Sequence, residues 1–416
     1  VNDPDVGRIW GGLARSHHLT PLDDLADSVI EHVRPLGFTE IMIYVASLRP
    51  LYLVPLPGQR DVHGEPLDRL PVDTTLAGRA FRNLEIVQAR PTTVFSSVEA
   101  EPLGGEGPRR LWVPMLDGTE RVGVLGVTVP VVDDHTKRIA AELGALIALL
   151  VVSKRTSSDA YIRMIRTEEM DLSAEVLWAL MPIRNYSTDK ISVSAALEPA
   201  YSVGGDAFDY SLDGDILRLG IFDAMGHDLS AGLTATIALG AYRNNRRRRG
   251  IDLLAVSDAI DEAIADQFSR SRFATGILAE LNIHSGLLTW VNRGHPPPLV
   301  LRQGRVASML ETPPDTPMGL RLGPATVLSR RQFEPDDRLL LYTDGILEAQ
   351  TPEGEMFGLD RFTDFVIKRE ADGLSAPETL RRLVHSILLH QRGRLQDDAT
   401  VMLVEWRTER LRQLSV

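Results

Sequence analysis

Two α+β units joined by a helical segment, the second a layered α-β-β-α sandwich, are the architecture that this 416-residue sequence predicts. Three observations carry that reading. Residues 1–153 run helix, strand, strand, short helix, strand, strand, helix. Residues 154–189 contain little Gly or Pro and repeat apolar residues at helical spacing. From residue 190 to 416 the chain turns to short β-rich runs interleaved with two pairs of helices, and helix pairs against many antiparallel strands stack as layers. The length alone suggests two or three domains.

Composition narrows the classes. At 44% hydrophobic and 25% charged residues each unit can bury a core. A net charge of −12 argues against nucleic acid as the main partner. There is no cysteine, which excludes disulfides, thiol nucleophiles and cysteine–zinc sites and agrees with a reducing cytoplasm, where the protein is placed. The longest apolar run, residues 143–152, is roughly half of what a bilayer requires, and no signal peptide is visible, so no membrane partner is expected.

Residues 19–36 place Leu22, Leu25, Ala26, Val29, Ile30 and Val33 on one helical face behind Pro21. Residues 41–48 alternate as a strand, 75–83 read as a short helix, 111–116 and 122–129 as a strand pair around Asp117-Gly118, and 135–154 as a closing helix. His17, His18, His63 and His135 are scattered over this unit and read as surface residues rather than haem or metal ligands. Further on, Ile147, Leu150, Val151, Tyr161, Ile162, Ile165, Met170, Leu172, Val176, Leu177 and Leu180 keep helical spacing, with a break at Ser157-Ser158-Asp159. This predicts one long connecting helix, or two in tandem, pairing with its twin in a homodimer.

Residues 204–227 are the most informative. Two alternating apolar runs flank Asp213-Gly214-Asp215, a hairpin signal. With Gly214-Asp215 as the loop, Asp213 faces Ile216, Leu212 faces Leu217, Tyr210 faces Leu219, Phe208 faces Ile221, and Asp206 faces Asp223. Like charges directly across a strand pair are destabilising, and burying them unpaired costs more. A hard cation removes the conflict, and all-oxygen ligands suit magnesium or manganese. The alternative is an exposed hairpin end with hydrated carboxylates.

Residues 229–243 then form a helix of small and apolar residues with Asp228 as N-cap, and the arginines at 243 and 246–249 read as a solvated helix end rather than a steering site for an acidic partner. A second helix spans 253–268. Strands follow at 273–283, 286–293, 298–302, 327–333 and 338–343, helices at 362–369 and 377–391, and a last strand at 399–405. Asp344 ends an apolar run and precedes Gly345, taken as the permit for a sharp turn. Asp397 and Asp398 precede the last strand. Carboxylates at the ends of apolar central strands are expected to converge on one edge of a sheet.

Two resemblances follow. Leu76-Ala77-Gly78-Arg79-Ala80-Phe81, Trp112-Val113-Pro114-Met115 and Gly123-Val124-Leu125-Gly126-Val127 look like a GAF sensor domain, which implies a small-molecule or protein ligand. Residues 190–406 resemble the metal-dependent, type 2C-like serine/threonine protein phosphatases, in their bacterial SpoIIE/RsbU branch. The anchors are Gly204-Gly205-Asp206-Ala207-Phe208-Asp209, Asp223-Ala224-Met225-Gly226-His227, Asn292-Arg293-Gly294-His295-Pro296-Pro297-Pro298-Leu299, Leu341-Tyr342-Thr343-Asp344-Gly345-Ile346-Leu347-Glu348-Ala349, Gly354-Glu355-Met356-Phe357-Gly358 and Gln396-Asp397-Asp398-Ala399-Thr400-Val401, in the family's order.

The resemblance implies two divalent cations, manganese or magnesium. Asp206 and Asp223 would be ligands, Asp223 bridging, with the Ala224 carbonyl completing one site and Asp344 and Asp397 holding the other. Asp398 is the lesser candidate of its pair, since the family often carries Asn there. Asp228 stands where relatives carry Gly and would add a carboxylate near the metals. His227 and His295 are candidates for general-acid or supporting roles, His295 more for support. Two such cations, roughly 3.5–4 Å apart, activate a water without a side-chain nucleophile. The implied function is a phosphoserine/phosphothreonine protein phosphatase switched by the GAF unit, acting on a STAS-type anti-sigma-factor antagonist. The connecting helix and a switch segment would control metal binding. The alternative is a catalytically silent scaffold that binds a phosphorylated regulator.

Overall fold

The computed structural model describes residues 3–16, 20–61, 63–91, 107–155, 158–198, 201–202, 204–313, 315–324, 327–392, 395 and 397–407. His17 and His18 lie outside the described residues. The chain divides into two compact units, Val1–Glu168 and Glu169–Val416.

In the first unit, α1 (Asp3–Ser16) and α2 (Leu25–Val33) lead into β1 (Thr39–Ala46), β2 (Tyr52–Pro55), β3 (Leu70–Pro71), α3 (Leu76–Asn83), β4 (Val87–Ala89), β5 (Arg109–Asp117), β6 (Glu120–Val129), α4 (Asp134–Arg155) and α5 (Asp159–Ile165). The strands make one antiparallel sheet in the order β3-β2-β1-β6-β5-β4. Alternation sorts its side chains. Ile43, Val45 and Leu125 face a core shared with Val29 and Val33 of α2 and Ile139 and Leu143 of α4. Tyr44, Val124 and Trp112 face the opposite core with Phe81 of α3. His63 is exposed.

The stretch expected to be a helical linker, 154–189, is instead shared between the units. α5 buries Tyr161 in the first core, and the Leu48 amide donates to the Ile165 carbonyl. The second unit begins with α6 (Leu172–Leu180), which buries Ala174 and Leu177 in its own core. Arg166 leaves the helical region after α5, at φ −82°, ψ 123°, so the apolar spacing does not continue as one rod. α5 and α6 each bury apolar side chains in the core of their own unit, while Leu172 of α6 is 64% exposed.

The second unit continues with β7 (Asn185–Ser187), β8 (Ile191–Glu198), β9 (Asp206–Asp213), β10 (Ile216–Ala224), α7 (Leu229–Arg246), α8 (Leu253–Phe268), β11 (Ala274–Asn282), β12 (Leu287–Arg293), β13 (Leu299–Arg302), β14 (Arg305–Met309), β15 (Ser329–Gln332), β16 (Arg338–Tyr342), α9 (Asp344–Leu347), α10 (Gly358–Ala371), α11 (Ala376–His390) and β17 (Ala399–Trp406). Five strands run β15-β12-β11-β10-β9 and six run β14-β13-β16-β17-β8-β7. Alternation in β16 and β17 builds the layers. Leu339, Leu341, Met402 and Val404 face the core that also holds Phe208, Leu219 and Ile221 of the other sheet, whereas Leu340, Tyr342, Val401 and Leu403 face Phe362, Leu380 and Leu383 of α10 and α11. α7 and α8 cover the outer face of the five-stranded sheet. The result is α-β-β-α. Among the described residues no helix is long and apolar enough to cross a membrane.

The arginine cluster after α7 is not all solvated. Arg243 donates from Nε and Nη2 to both oxygens of Asp209, at 2.7 and 3.0 Å, and Arg246 lies 2.9 Å from the same carboxylate. Asp209 is 1% exposed. A buried carboxylate needs such partners, and it draws two arginines back onto the sheet while Arg247, Arg248 and Arg249 remain exposed.

Candidate active site

The hairpin register follows the alternation. Asp213 pairs with Ile216, Leu212 with Leu217, Tyr210 with Leu219, Phe208 with Ile221 and Asp206 with Asp223. Gly204 and Gly205 admit this geometry because a Cβ on Gly204 would lie 2.6 Å from the His227 Cα, and one on Gly205 would lie 2.4 Å from the Ala224 carbonyl oxygen. The backbone before Asp206 therefore rests against the turn after Asp223, whose Gly226 takes φ +93°.

Asp344 and Asp397 reach the same place from the other sheet. β9 is an edge strand, so the carboxylates do not gather on one sheet's edge as expected; they face each other across the gap between two sheets. Gly345 has no left-handed backbone. Its Cβ would meet the Asp398 carbonyl oxygen at 1.9 Å, so close approach of the Asp344 turn to the Asp397–Asp398 backbone is what requires glycine. Gly345→Ala is expected to cost about 1–3 kcal/mol, the usual penalty of overpacking, read as a lower urea midpoint for the second unit; an unchanged midpoint would refute the close contact.

Electrostatics tie the group together. Burial, then the charges of Asp223 and Asp398, push the Asp206 carboxyl well above its ordinary value. Asp223 is pushed up to about 7 by burial and by repulsion from Asp344, Asp397, Asp398 and Glu348. Asp344 is raised by burial, Glu348 and Asp397. Glu348, exposed at the end of α9, was missed by sequence reasoning, although it stands one helical turn after Asp344.

Thr343 was also missed. It is fully buried, its Oγ1 accepts from the Thr400 amide at 2.9 Å, and its hydroxyl donates to Asp206 Oδ2 at 2.7 Å. Because the amide supplies its own hydrogen, the hydroxyl proton is directed at Asp206 and orients its carboxylate, which the Thr400 side chain also approaches.

The remaining candidates separate. Asp398 is 5% exposed, and its carboxylate accepts backbone amides from the Gly204–Asp206 turn. Asp228 caps α7 by accepting the Ala231 amide at 2.9 Å and takes Arg272 at 3.1 Å on its other oxygen; these partners hold its carboxyl below the usual range. It is thus engaged in a cap and an ion pair. His227 is exposed. His295 is buried, and desolvation lowers it to about 3, keeping it neutral; its Nδ1 lies 2.8 Å from the Thr275 hydroxyl, on the strand position paired with Asp223. Its main chain is fixed by Asn292 from both sides, at 2.8 Å each, which suits a brace.

Among the described residues no three Asp, Glu or His side chains yet surround one point as a ligand set would. The donor set nevertheless fits hard divalent cations: every side chain offers oxygen, the charges repel, and among the described residues no cation is found as a partner of Asp206 or Asp223.

Comparison with known proteins finds similarity over this part of the chain. Residues 213–407 match the family described as Stage II sporulation protein E (SpoIIE). Protein IcfG of Synechocystis sp. (strain ATCC 27184 / PCC 6803 / Kazusa) is 22% identical over 270 residues, covering 58% of this chain and 41% of IcfG. Phosphoserine phosphatase RsbU of Bacillus subtilis (strain 168) is 24% identical over 241 residues, covering 57% of this chain and 69% of RsbU. The solved SiaA-PP2C domain of Pseudomonas aeruginosa is 19% identical with a TM-score of 0.47, covering 57% of this chain and 94% of that one. The chain thus spans less than half the length of IcfG and about two thirds of RsbU. Residues 213–407 are thus similar to the SpoIIE family, and one of the relatives, RsbU, is named a phosphoserine phosphatase. The match takes in Asp223, Asp344, Asp397 and Asp398; Asp206 lies just before it, and the strand register brings it in.

Proposed function

We propose that the chain is a metal-dependent phosphoserine/phosphothreonine protein phosphatase. The observation that carries this is the Asp206–Asp223 pair, two carboxylates opposed across a strand pair and both raised above their ordinary values. Two divalent cations, manganese or magnesium, would lie among Asp206, Asp223, the Ala224 carbonyl, Asp344 and Asp397 and would supply water activation and charge neutralisation at the phosphoryl group. The chain's own contribution is to hold these oxygens. Thr343 orients Asp206, the β10–β11 pairing and His295 brace the strand position beside Asp223, and Gly345 lets the Asp344 turn approach Asp397.

We further read the first unit as a GAF-type sensor, supported by its single antiparallel sheet and by Gly78 and Gly123, each of which would place a Cβ 1.9 Å from a neighbouring carbonyl oxygen. The substrate class is a STAS-type anti-sigma-factor antagonist, following RsbU as a relative. Assaying the whole chain with manganese on a panel of phosphorylated STAS proteins and on p-nitrophenyl phosphate tests the reading. Metal-dependent phosphate release from both is expected. Release from neither would leave a silent scaffold that binds a phosphorylated regulator.

A further inference from the structure

We infer that Asp398 is a positioning residue for the metal site: its carboxylate anchors the Gly204-Gly205-Asp206 backbone across the two sheets and is not a metal ligand. Oδ2 accepts the amides of Gly204, Gly205 and Asp206 at 2.7, 2.6 and 3.0 Å, and Oδ1 accepts Gly204 again at 3.0 Å. Three amides converging on Oδ2 fill the acceptor capacity of that oxygen, and Gly204 also reaches Oδ1. They also solve a local problem. Gly204 and Gly205 precede β9, so their amides have no ladder partner on that side, and a buried amide without an acceptor is costly.

The anchor lies between sheets. Gly204–Asp206 leads into the edge strand of the five-stranded sheet, and Asp398 leads into β17, which is central in the six-stranded one. Gly345 rests on the Asp398 carbonyl, and Thr343, one residue before Asp344, holds Asp206 Oδ2. The backbone of one proposed ligand and the turn of another are therefore both referenced to residue 398. Asp397, its exposed neighbour, accepts the Asp398 amide on Oδ1 at 2.9 Å, and its charge acts on Asp223. The adjacent carboxylates divide the work, 397 for the cation and 398 for the frame.

This rests on the metal-dependent reading, and the test separates the two. Amide hydrogen exchange at 204–206 and manganese titration by calorimetry are measured on the full chain for wild type, Asp398→Asn, Asp398→Ala and Asp397→Asn. Asn keeps the one oxygen that takes all three amides. Asp398→Asn should hold amide protection and lose less than about tenfold in manganese affinity. Asp398→Ala should speed exchange at these amides by about 10- to 100-fold, as for loss of hydrogen bonds to a charged acceptor, and weaken manganese by about 10- to 100-fold, as for an outer-shell partner. Asp397→Asn should leave the three amides protected and weaken manganese more than Asp398→Asn. If Asp398→Asn loses manganese as fully as Asp397→Asn, Asp398 is a ligand and the inference falls. Unchanged exchange in Asp398→Ala overturns it as well. Wild type that binds no manganese but shows the exchange pattern would defeat the phosphatase reading while leaving the anchor in place.

Discussion

Asp223→Asn is expected to abolish manganese-dependent hydrolysis of p-nitrophenyl phosphate and, at the same time, to stabilise the metal-free protein. Both effects come from one carboxylate. In the absence of metal, Asp223 is pushed up to about 7 by burial and by its acidic neighbours. The unfolded chain titrates near the ordinary value of 3.8, so between that pH and about 7 the folded state holds the extra proton. Stability of the metal-free protein is therefore fully present below the unfolded value and falls as pH rises through this window, by up to about 1.4 kcal/mol per pH unit for one proton. Asp206, Asp344 and Asp398 are raised too and act with the same sign. Neutral Asn removes one charge from the cluster and flattens the slope. With metal bound the direction reverses, because the cations reward the charged form. Loss of this proposed ligand carboxylate should lower the rate by about a thousandfold or more, the several kcal/mol that metal-assisted charge stabilisation contributes. Melting curves at pH 5.5 and 8, with and without manganese, together with the phosphatase assay, check this. A variant with the wild-type rate, or one destabilised at pH 8 without metal, would contradict it.

The hairpin was legible because the two-residue Gly214-Asp215 loop fixes the register, and period-two alternation then keeps Phe208, Tyr210 and Leu212 on a common face with Leu217, Leu219 and Ile221. α8 was legible over its whole span, Leu253–Phe268, for the corresponding reason at helical spacing, with Asp252 capping it. Strand order was not. No local pattern says that β9 is an edge or that β17 lies centrally, and so the sequence puts the carboxylates on one sheet where the fold sets them on two. β14, with Arg305, Val306 and Ala307 all exposed, carries no burial pattern to read. Side-chain allegiance is equally hidden. Asp209, Asp228, Asp397 and Asp398 are the same residue in the sequence, yet they hold arginines, a helix end, a place among the acidic cluster and three amides. Apart from the Asp228 cap, whose partner Ala231 lies three residues on, each role depends on a partner far along the chain that composition near the aspartate does not reveal.

Asp209→Ala is expected to be the most destabilising single substitution in the second unit, by about 3–5 kcal/mol. Asp209 is 1% exposed, and the Arg246 side chain opposite it only 7%. Truncating the acid leaves Arg243 and Arg246 facing a site with little water, and arginine does not escape by losing its proton. The penalty is that of the stranded cations rather than the net worth of the pair, which predicts an asymmetry. Arg243→Met, whose partner still has Arg246 at 2.9 Å, should cost less than Asp209→Ala. Arg246→Met should also cost less, because Arg243 keeps both its bonds to the acid. Hydrogen exchange along β9 and α7 reports stability of this unit without interference from the first. Because the pair ties α7 to β9 within the strand that begins at Asp206, the same variants should also lower manganese affinity in proportion to their loss of protection. If Asp209→Ala proved as mild as either arginine replacement, the burial assigned to this carboxylate would be wrong, and with it the account of why the first two arginines of the cluster turn inward while the following three stay in solvent.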